Sequence, residues 1–229
     1  MYLPAEYLPA GFNSGKMRSM KFGLQINLDV ENRLCLVIGG GEEAANKTSR
    51  LLDGGAKVTV IGPSLNDPLR ELAASGKILH RGRRFKSSDV DEGVWLVMNT
   101  VTTDVVLSRD LFTLAKQKGF LLCATDQPDF STFTMPALVA RGPLRIAIST
   151  SGVSPALAKR LRQDLEPLFD ERFEVFLEWL DAYRTHLLST EVNIEKRHQL
   201  LRDAVSKVKL NAKIEFPKVE KKTEEKKEA

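Results

Sequence analysis

Cysteine is scarce in this chain, with two in 229 residues, Cys35 and Cys123, each inside an apolar, strand-like stretch. Two strand thiols make no disulfide framework, and without a Cys-x-x-Cys pair nothing signals structural zinc. A reducing cytoplasm is the compartment this implies. Histidine is as sparse: His80, His186 and His198 lack the spacing of a dedicated metal site, so no metal-binding residue is expected. No apolar run approaches the roughly 20 residues that span a bilayer. The opening segment lacks the apolar h-region of a signal peptide and reads as a loose extension over residues 1–21, with Met17 and Met20 as alternative starts. An excess of one charge is also missing. Lys and Arg total 34 against 30 Asp and Glu, a net +4 that solvated surface can absorb. Neither nucleic acid nor membrane is therefore an expected partner, whereas a modestly basic cleft for a polyanionic small molecule is compatible.

What is present points to an α/β chain. At 42% hydrophobic it can bury a core, and its length suits one α/β domain with a smaller companion. The most informative stretch is 34–41, Leu-Cys-Leu-Val-Ile-Gly-Gly-Gly, a continuous apolar run of the kind found in buried parallel strands. Helix-compatible sequence follows over 42–52, then a second strand over 57–61 beyond the turn at Gly54-Gly55. Gly39, Gly41 and Ala44 match G-x-G-x-x-A, with Gly40 and Glu42 completing the loop and the helix start. Such glycines let backbone N–H groups approach a pyrophosphate at a helix N-terminus. A tight turn that binds nothing is the alternative. The flanking strand, helix and second strand favour a dinucleotide site.

Further along, helices are expected over 66–74 and 105–117, and strands over 78–80, 95–100 and 121–125, the last ending on Asp126. This alternation predicts a Rossmann-like, doubly wound parallel sheet. The rhythm then changes. Residues 131–135 alternate like a strand, 136–140 read as a brief helical turn, and 144–149 alternate again. Ser154 and Pro155 open a helix reaching about Glu166, and Pro167 starts another. Phe169, Phe173, Phe176, Leu180, Tyr183 and Leu187 recur at three- and four-residue spacing, a seam that fits either packing within its own domain or a subunit interface. A last helix is expected over 198–208. The expected division is a Rossmann domain over 22–129, a small α+β dimerisation and substrate domain over 130–166, a helical part over 167–216, and a disordered Lys/Glu tail over 217–229.

Four stretches then carry a resemblance. They are Leu36 to Gly41 with Ala44, Lys47 and Leu51-Leu52; Trp95 to Met98 leading to Thr100 and Thr102-Thr103-Asp104; Asp126 with Phe133-Thr134-Met135-Pro136; and Ile148 to Pro155 with Ala158-Lys159 and Leu161-Arg162. In this order they resemble the precorrin-2 dehydrogenases of sirohaem synthesis, including the amino-terminal module of sirohaem synthases. The resemblance spans about 22–180. It implies NAD as cofactor, precorrin-2 as substrate, sirohydrochlorin as product, a homodimer, and in some members insertion of ferrous iron. Two departures stand out. Cys123 occupies a place where the family often has asparagine, and residues 60–64, Val-Ile-Gly-Pro-Ser, lack the acidic residue that usually holds the adenosine ribose. NAD rather than NADP therefore rests on the resemblance, with Ser64 or backbone groups serving the ribose. The methyltransferase module of fused sirohaem synthases has no counterpart in these residues.

Ligands of doubly wound sheets bind beyond the carboxyl ends of the strands. The glycines Gly39, Gly40 and Gly41, Thr100 and Asp126 all fall at such ends, which makes Asp126 the expected general base. A turn or cap role before Pro128 is its alternative, and Asp129 is a second candidate base. The resemblance implies a substrate with eight carboxylates. Thr150, Ser151 and Gly152 before a helix start are suited to such anions, and Lys159 and Arg162 are the favoured basic partners among Arg141, Arg145, Lys159, Arg160 and Arg162. Solvated surface charge is the plain alternative for these five. A reading from another class is an NAD-binding regulatory module acting through a helical dimer. It keeps the glycine loop but gives no reason for Asp126 and the later motifs to occur together.

Overall fold

The computed structural model describes residues 23–91 and 93–215. The expected amino-terminal extension and the tail over 217–229 lie outside the described residues. The chain divides into two compact units, one from Gly23 to Ala137 and one from Leu138 onward, so the division falls later than the sequence-based boundary after 129.

The first unit is a five-stranded parallel sheet. Strands β1 (Leu34–Ile38), β2 (Lys57–Ile61), β3 (Leu79–Arg81), β4 (Leu96–Asn99) and β5 (Leu121–Ala124) are arranged β3-β2-β1-β4-β5. Helices α1 (Glu42–Asp53), α2 (Asp67–Ala74) and α3 (Val105–Lys118) lie in the crossovers. Winding runs outward from β1 to β3, then jumps back to β4. The β1 and β4 ends therefore flank the switch point where such sheets open a crevice. Alternate residues serve opposite faces. Cys35, Val37, Val58, Val60 and Met98 pack with Ala44, Leu51 and Leu69, while Leu36, Ile38, Ile61, Val97 and Leu122 pack with Leu111, Ala115 and Phe120. Burial on both faces explains why the strands read as continuous apolar runs.

Helix ends follow local chemistry. Asn66 accepts from the Leu69 N–H at 3.2 Å, and Asp104 accepts from Leu107 at 2.9 Å. Gly119, at φ 79°, ends α3 in the left-handed region. One expectation fails here. Residues 131–135 form no strand; they run beside β5, with the Thr132 N–H donating to the Leu122 carbonyl at 2.8 Å. Phe133 and Met135 join the core there, which accounts for the alternation.

In the second unit, the helical turn expected over 136–140 is instead strand β6 (Ala137–Arg141), paired with β7 (Leu144–Ile148). A single helical turn gains few hydrogen bonds for the residues it fixes. The tight connection at Gly142, with φ 48°, offers a hairpin instead. Helix α4 (Pro155–Leu165) starts from Ser154, whose hydroxyl accepts from the Leu157 N–H at 3.1 Å. The helix expected from Pro167 begins later. A short 3-10 turn covers Glu166–Leu168, and Asp170 caps α5 (Glu171–Thr190) by accepting from the N–H groups of Arg172 and Phe173. Phe169 thus precedes the helix of the aromatic seam. The last helix, α6 (Ile194–Val205), starts earlier than expected because Asn193 accepts from Lys196 at 3.0 Å.

Candidate dinucleotide site and strand-end carboxylate

The three glycines after β1 have different tasks. Gly39 sits at φ 119°, and its N–H donates to the Ile61 carbonyl at 2.9 Å. A Cβ there would come within 2.2 Å of Thr100 Oγ1, and one on Gly40 within 1.8 Å of the Ser64 carbonyl oxygen. Gly39 therefore lets the loop after β1 pack against the end of β4, and Gly40 lets it pack against the loop after β2. Gly41 is the N-cap of α1; among the described residues nothing lies within 4 Å of a Cβ placed on it, and no side chain caps the helix. The first N–H groups of α1 thus have no side-chain cap among the described residues, a fit to a dinucleotide pyrophosphate. Ala44 is fully buried and lets α1 approach the sheet. Glu42 is exposed in the first turn, where an acidic group favours the helix dipole but repels an approaching phosphate.

Thr100 does not present a free hydroxyl. Its Oγ1 donates to the Ile38 carbonyl at 2.8 Å and its N–H donates to the same oxygen at 2.9 Å, so it locks the end of β1 to β4. Asn99 beside it is buried; its Nδ2 donates to Ser108 Oγ at 2.9 Å while its Oδ1 accepts from the Val101 N–H at 3.1 Å. Ile38, Asn99 and Ala124 are register partners across three strands. Strand spacing of about 4.8 Å puts the glycine loop and Asp126 on the order of 10 Å apart on one sheet edge. Asp126 is exposed, at φ 58°. That left-handed conformation is uncommon for residues other than glycine, asparagine and aspartate. The next residue, Gln127, is half-buried and donates from Nε2 to the Thr102 carbonyl at 2.8 Å. Sequence reasoning singled out neither Asn99 nor Gln127. A polar residue ending a buried strand was the available signal for Asn99; Gln127 carries none.

At the β2 end, Gly62 is buried against Gly39, Ser64 is exposed, and the Gly62 carbonyl lies 2.9 Å from His80 Nε2. No carboxylate projects from this end. Beyond β3, the buried Asp89 receives Arg81 at 2.7 Å and Arg83 at 2.6 and 2.8 Å. The Arg83 hydrogen bonds, with those from Lys86 N–H and Arg81, outweigh burial and hold the Asp89 carboxyl well below the usual carboxylate range. Burial pushes the Cys35 thiol up to about 11 and also raises that of Cys123, which lies near Lys47. With β4 between their strands these thiols are too far apart to join. Among the described residues, no three of His, Cys, Asp and Glu group as metal ligands, and no helix is long and apolar enough to cross a membrane.

The anion candidates lie in the second unit. Ser151 and Gly152 are left-handed, at φ 51° and 82°, in a turn closed by Val153 N–H to the Thr150 carbonyl at 2.9 Å. Thr150 Oγ1 accepts from the Ser154 N–H at 3.0 Å, so this hydroxyl oxygen is already engaged. Of the basic residues, Arg162 pairs with Glu166 at 2.6 Å, Arg160 with Asp164, and Arg141 donates to the Phe169 carbonyl. Arg145 donates to carbonyls of its own hairpin. Lys159 is exposed and has no ion pair among the described residues.

Comparison with known proteins agrees with this geometry. Residues 26–137 match a family described as NAD(P)-binding, and residues 141–167 match one described as "Sirohaem biosynthesis protein central". A sirohaem synthase of Nitrosococcus oceani is 34% identical over 174 residues, covering 76% of this chain and 37% of its own length. One of Methylococcus capsulatus is 39% identical over 150 residues, covering 66% of this chain and 31% of its own. The chain thus spans about a third of the length of these relatives. A solved structure of SirC, a precorrin-2 dehydrogenase, superposes with a TM-score of 0.69 at 27% identity, covering 80% of this chain and 89% of that one.

Proposed function

We propose that this chain, whose residues 26–137 match an NAD(P)-binding family and whose residues 141–167 match the central part of sirohaem biosynthesis proteins, is an NAD-dependent precorrin-2 dehydrogenase yielding sirohydrochlorin. The observation that carries the reading is the uncapped start of α1 behind Gly41, on the same sheet edge as the exposed, left-handed Asp126. NAD supplies the acceptor for the hydride that leaves a carbon of the macrocycle. The α1 amides bind the pyrophosphate, with Gly39 and Gly40 keeping the loop flat enough for its approach. Asp126 takes the proton released from the macrocycle, so two electrons and two protons' worth of hydrogen leave as one hydride and one proton. Ser64 is assigned to the adenosine ribose. Thr150, Ser151, Gly152 and Lys159 are assigned to substrate carboxylates. Arg162, already paired with Glu166, would have to exchange partners to join them.

Ferrous iron enters the proposal as a second substrate. Its insertion expels two pyrrole N–H protons, and the Asp126 carboxylate is the base proposed to receive them. A homodimer through the aromatic seam completes the reading.

The test is an anaerobic mixture of protein, NAD and precorrin-2, followed by absorbance for sirohydrochlorin, with and without ferrous iron. Asp126→Asn is the informative variant, since asparagine also tolerates the left-handed backbone. Turnover is expected to fall about 100-fold or more, the usual range for a lost general base, with NAD binding retained. Undiminished turnover removes Asp126 from the mechanism; no conversion by the unaltered protein removes the dehydrogenase.

A further inference from the structure

We infer that Gln127 is a positioning residue that pins the turn presenting the Asp126 carboxylate, an inference that rests on the role proposed above for Asp126. The backbone of Asp126 is left-handed, and a conformation of that kind persists where its surroundings over-determine it. Gln127 supplies those surroundings. Its N–H donates to the Ala124 carbonyl at 3.2 Å, closing the turn over Thr125 and Asp126. Its own carbonyl accepts from the Phe130 N–H at 3.1 Å and from Ser131 Oγ at 3.1 Å, which anchors the turn from the far side.

The side chain adds a tie between loops. Nε2 donates to the Thr102 carbonyl at 2.8 Å, joining the loop after β5 to the loop after β4. The carboxamide oxygen Oε1 is buried and meets no hydrogen-bond donor among the described residues. Turning the amide over would set this oxygen against the Thr102 carbonyl, so the donor orientation is dictated. The inward Gln127 and the outward Asp126 thus form one device. One side chain clamps two strand ends while its neighbour faces the solvent side.

The test is a double-mutant cycle in the full-length protein. Gln127→Ala is expected to lower kcat for precorrin-2 oxidation about tenfold, with KM and the NAD dissociation constant within about twofold of the unaltered protein. In an Asp126→Asn background the same substitution is expected to cause no further loss, because Gln127 acts through that carboxylate. Gln127→Met keeps the volume without the donor and is expected to behave like Gln127→Ala, covering the case in which the smaller residue unfolds the loop. A second readout needs no turnover: amide hydrogen exchange over 100–104 and 125–131 is expected to quicken about tenfold in both variants. Additive losses in the cycle, or an unchanged kcat in a folded Gln127→Met, overturn the inference. So does unchanged exchange in these two loops. Should the unaltered protein leave precorrin-2 untouched, the dehydrogenase reading fails, and the exchange experiment still decides whether Gln127 pins the turn.

Discussion

Gly40 and Gly41 are adjacent and place opposite demands on a side chain. A Cβ on Gly40 would lie 1.8 Å from a backbone oxygen that cannot swing aside. Gly40→Ala is expected to destabilise the protein by about 3 kcal/mol, at the upper end of overpacking effects, measurable as a lower urea midpoint. Gly41 is at φ −91°, and among the described residues nothing lies within 4 Å of a Cβ placed on it. Gly41→Ala is expected to change stability by less than about 0.5 kcal/mol yet to weaken NAD roughly tenfold, or about 1.4 kcal/mol, because the methyl group occupies the approach to the α1 amides. Calorimetric titration reads this directly, and unchanged affinity would move the cofactor elsewhere. Asp89 governs a pH response at the same scale. Its carboxyl is depressed in the fold, so its contribution is complete above the unfolded value near 3.9. That contribution is lost as pH falls below about 4 toward the folded value. Melting temperature is expected to drop over that acid range, and Asp89→Asn should flatten that part of the curve.

At the scale of elements, the outer edge of β5 is covered in an unusual way. Ser131 and Thr132 use hydroxyl oxygens as acceptors where a further strand would use carbonyls, although the Thr132 N–H still donates to the Leu122 carbonyl. Thr132 Oγ1 accepts from the Leu122 N–H at 2.8 Å, and Ser131 Oγ accepts from the Ala124 N–H at 2.9 Å. This satisfies edge donors without extending the sheet. Thr132→Val preserves shape but leaves the Leu122 N–H unpaired, at an expected loss of about 1–2 kcal/mol in chemical denaturation; a neutral result would mean that water replaces the hydroxyl. The same element shows why its sequence misled. Period-two alternation reports that Phe133 and Met135 face inward. It is silent on whether Thr132 pairs by its backbone alone or by its hydroxyl as well. The late start of α5 has a similar cause, since the aromatic spacing extends back to Phe169 but the capping carboxylate of Asp170 decides where helical bonding begins.

At the scale of the whole molecule, rings of the aromatic seam form a ladder with Trp179, a residue beside that seam. Phe169 meets Phe173 edge-on, while Trp179 stacks on Phe176 at 5.8 Å and on Tyr183 at 5.2 Å. Trp179 is nevertheless 48% exposed. Burying such rings against a second copy is the association proposed here, and aromatic residues are favoured at interface centres. Trp179→Glu is expected to convert a dimer to a monomer in sedimentation with the fold retained. A monomeric unaltered protein at micromolar concentration would dispose of the dimer.

The sequence by itself determined the sheet and its glycine loop, because strand burial, glycine runs and helix caps are encoded within a few adjacent residues. Strands β1 and β2, the cap Ser154, and the position of Asp126 after β5 were legible for that reason, whereas the capping roles of Asn66 and Asp104 emerged only with the fold. Only the tertiary structure decided that Thr100 spends its hydroxyl on Ile38, that Arg162 is held by Glu166, and that Gln127 reaches Thr102. The first and last of these depend on strand ends distant in the chain meeting at one edge of the sheet. The Arg162 pair is local but depends on rotamers that no periodicity records.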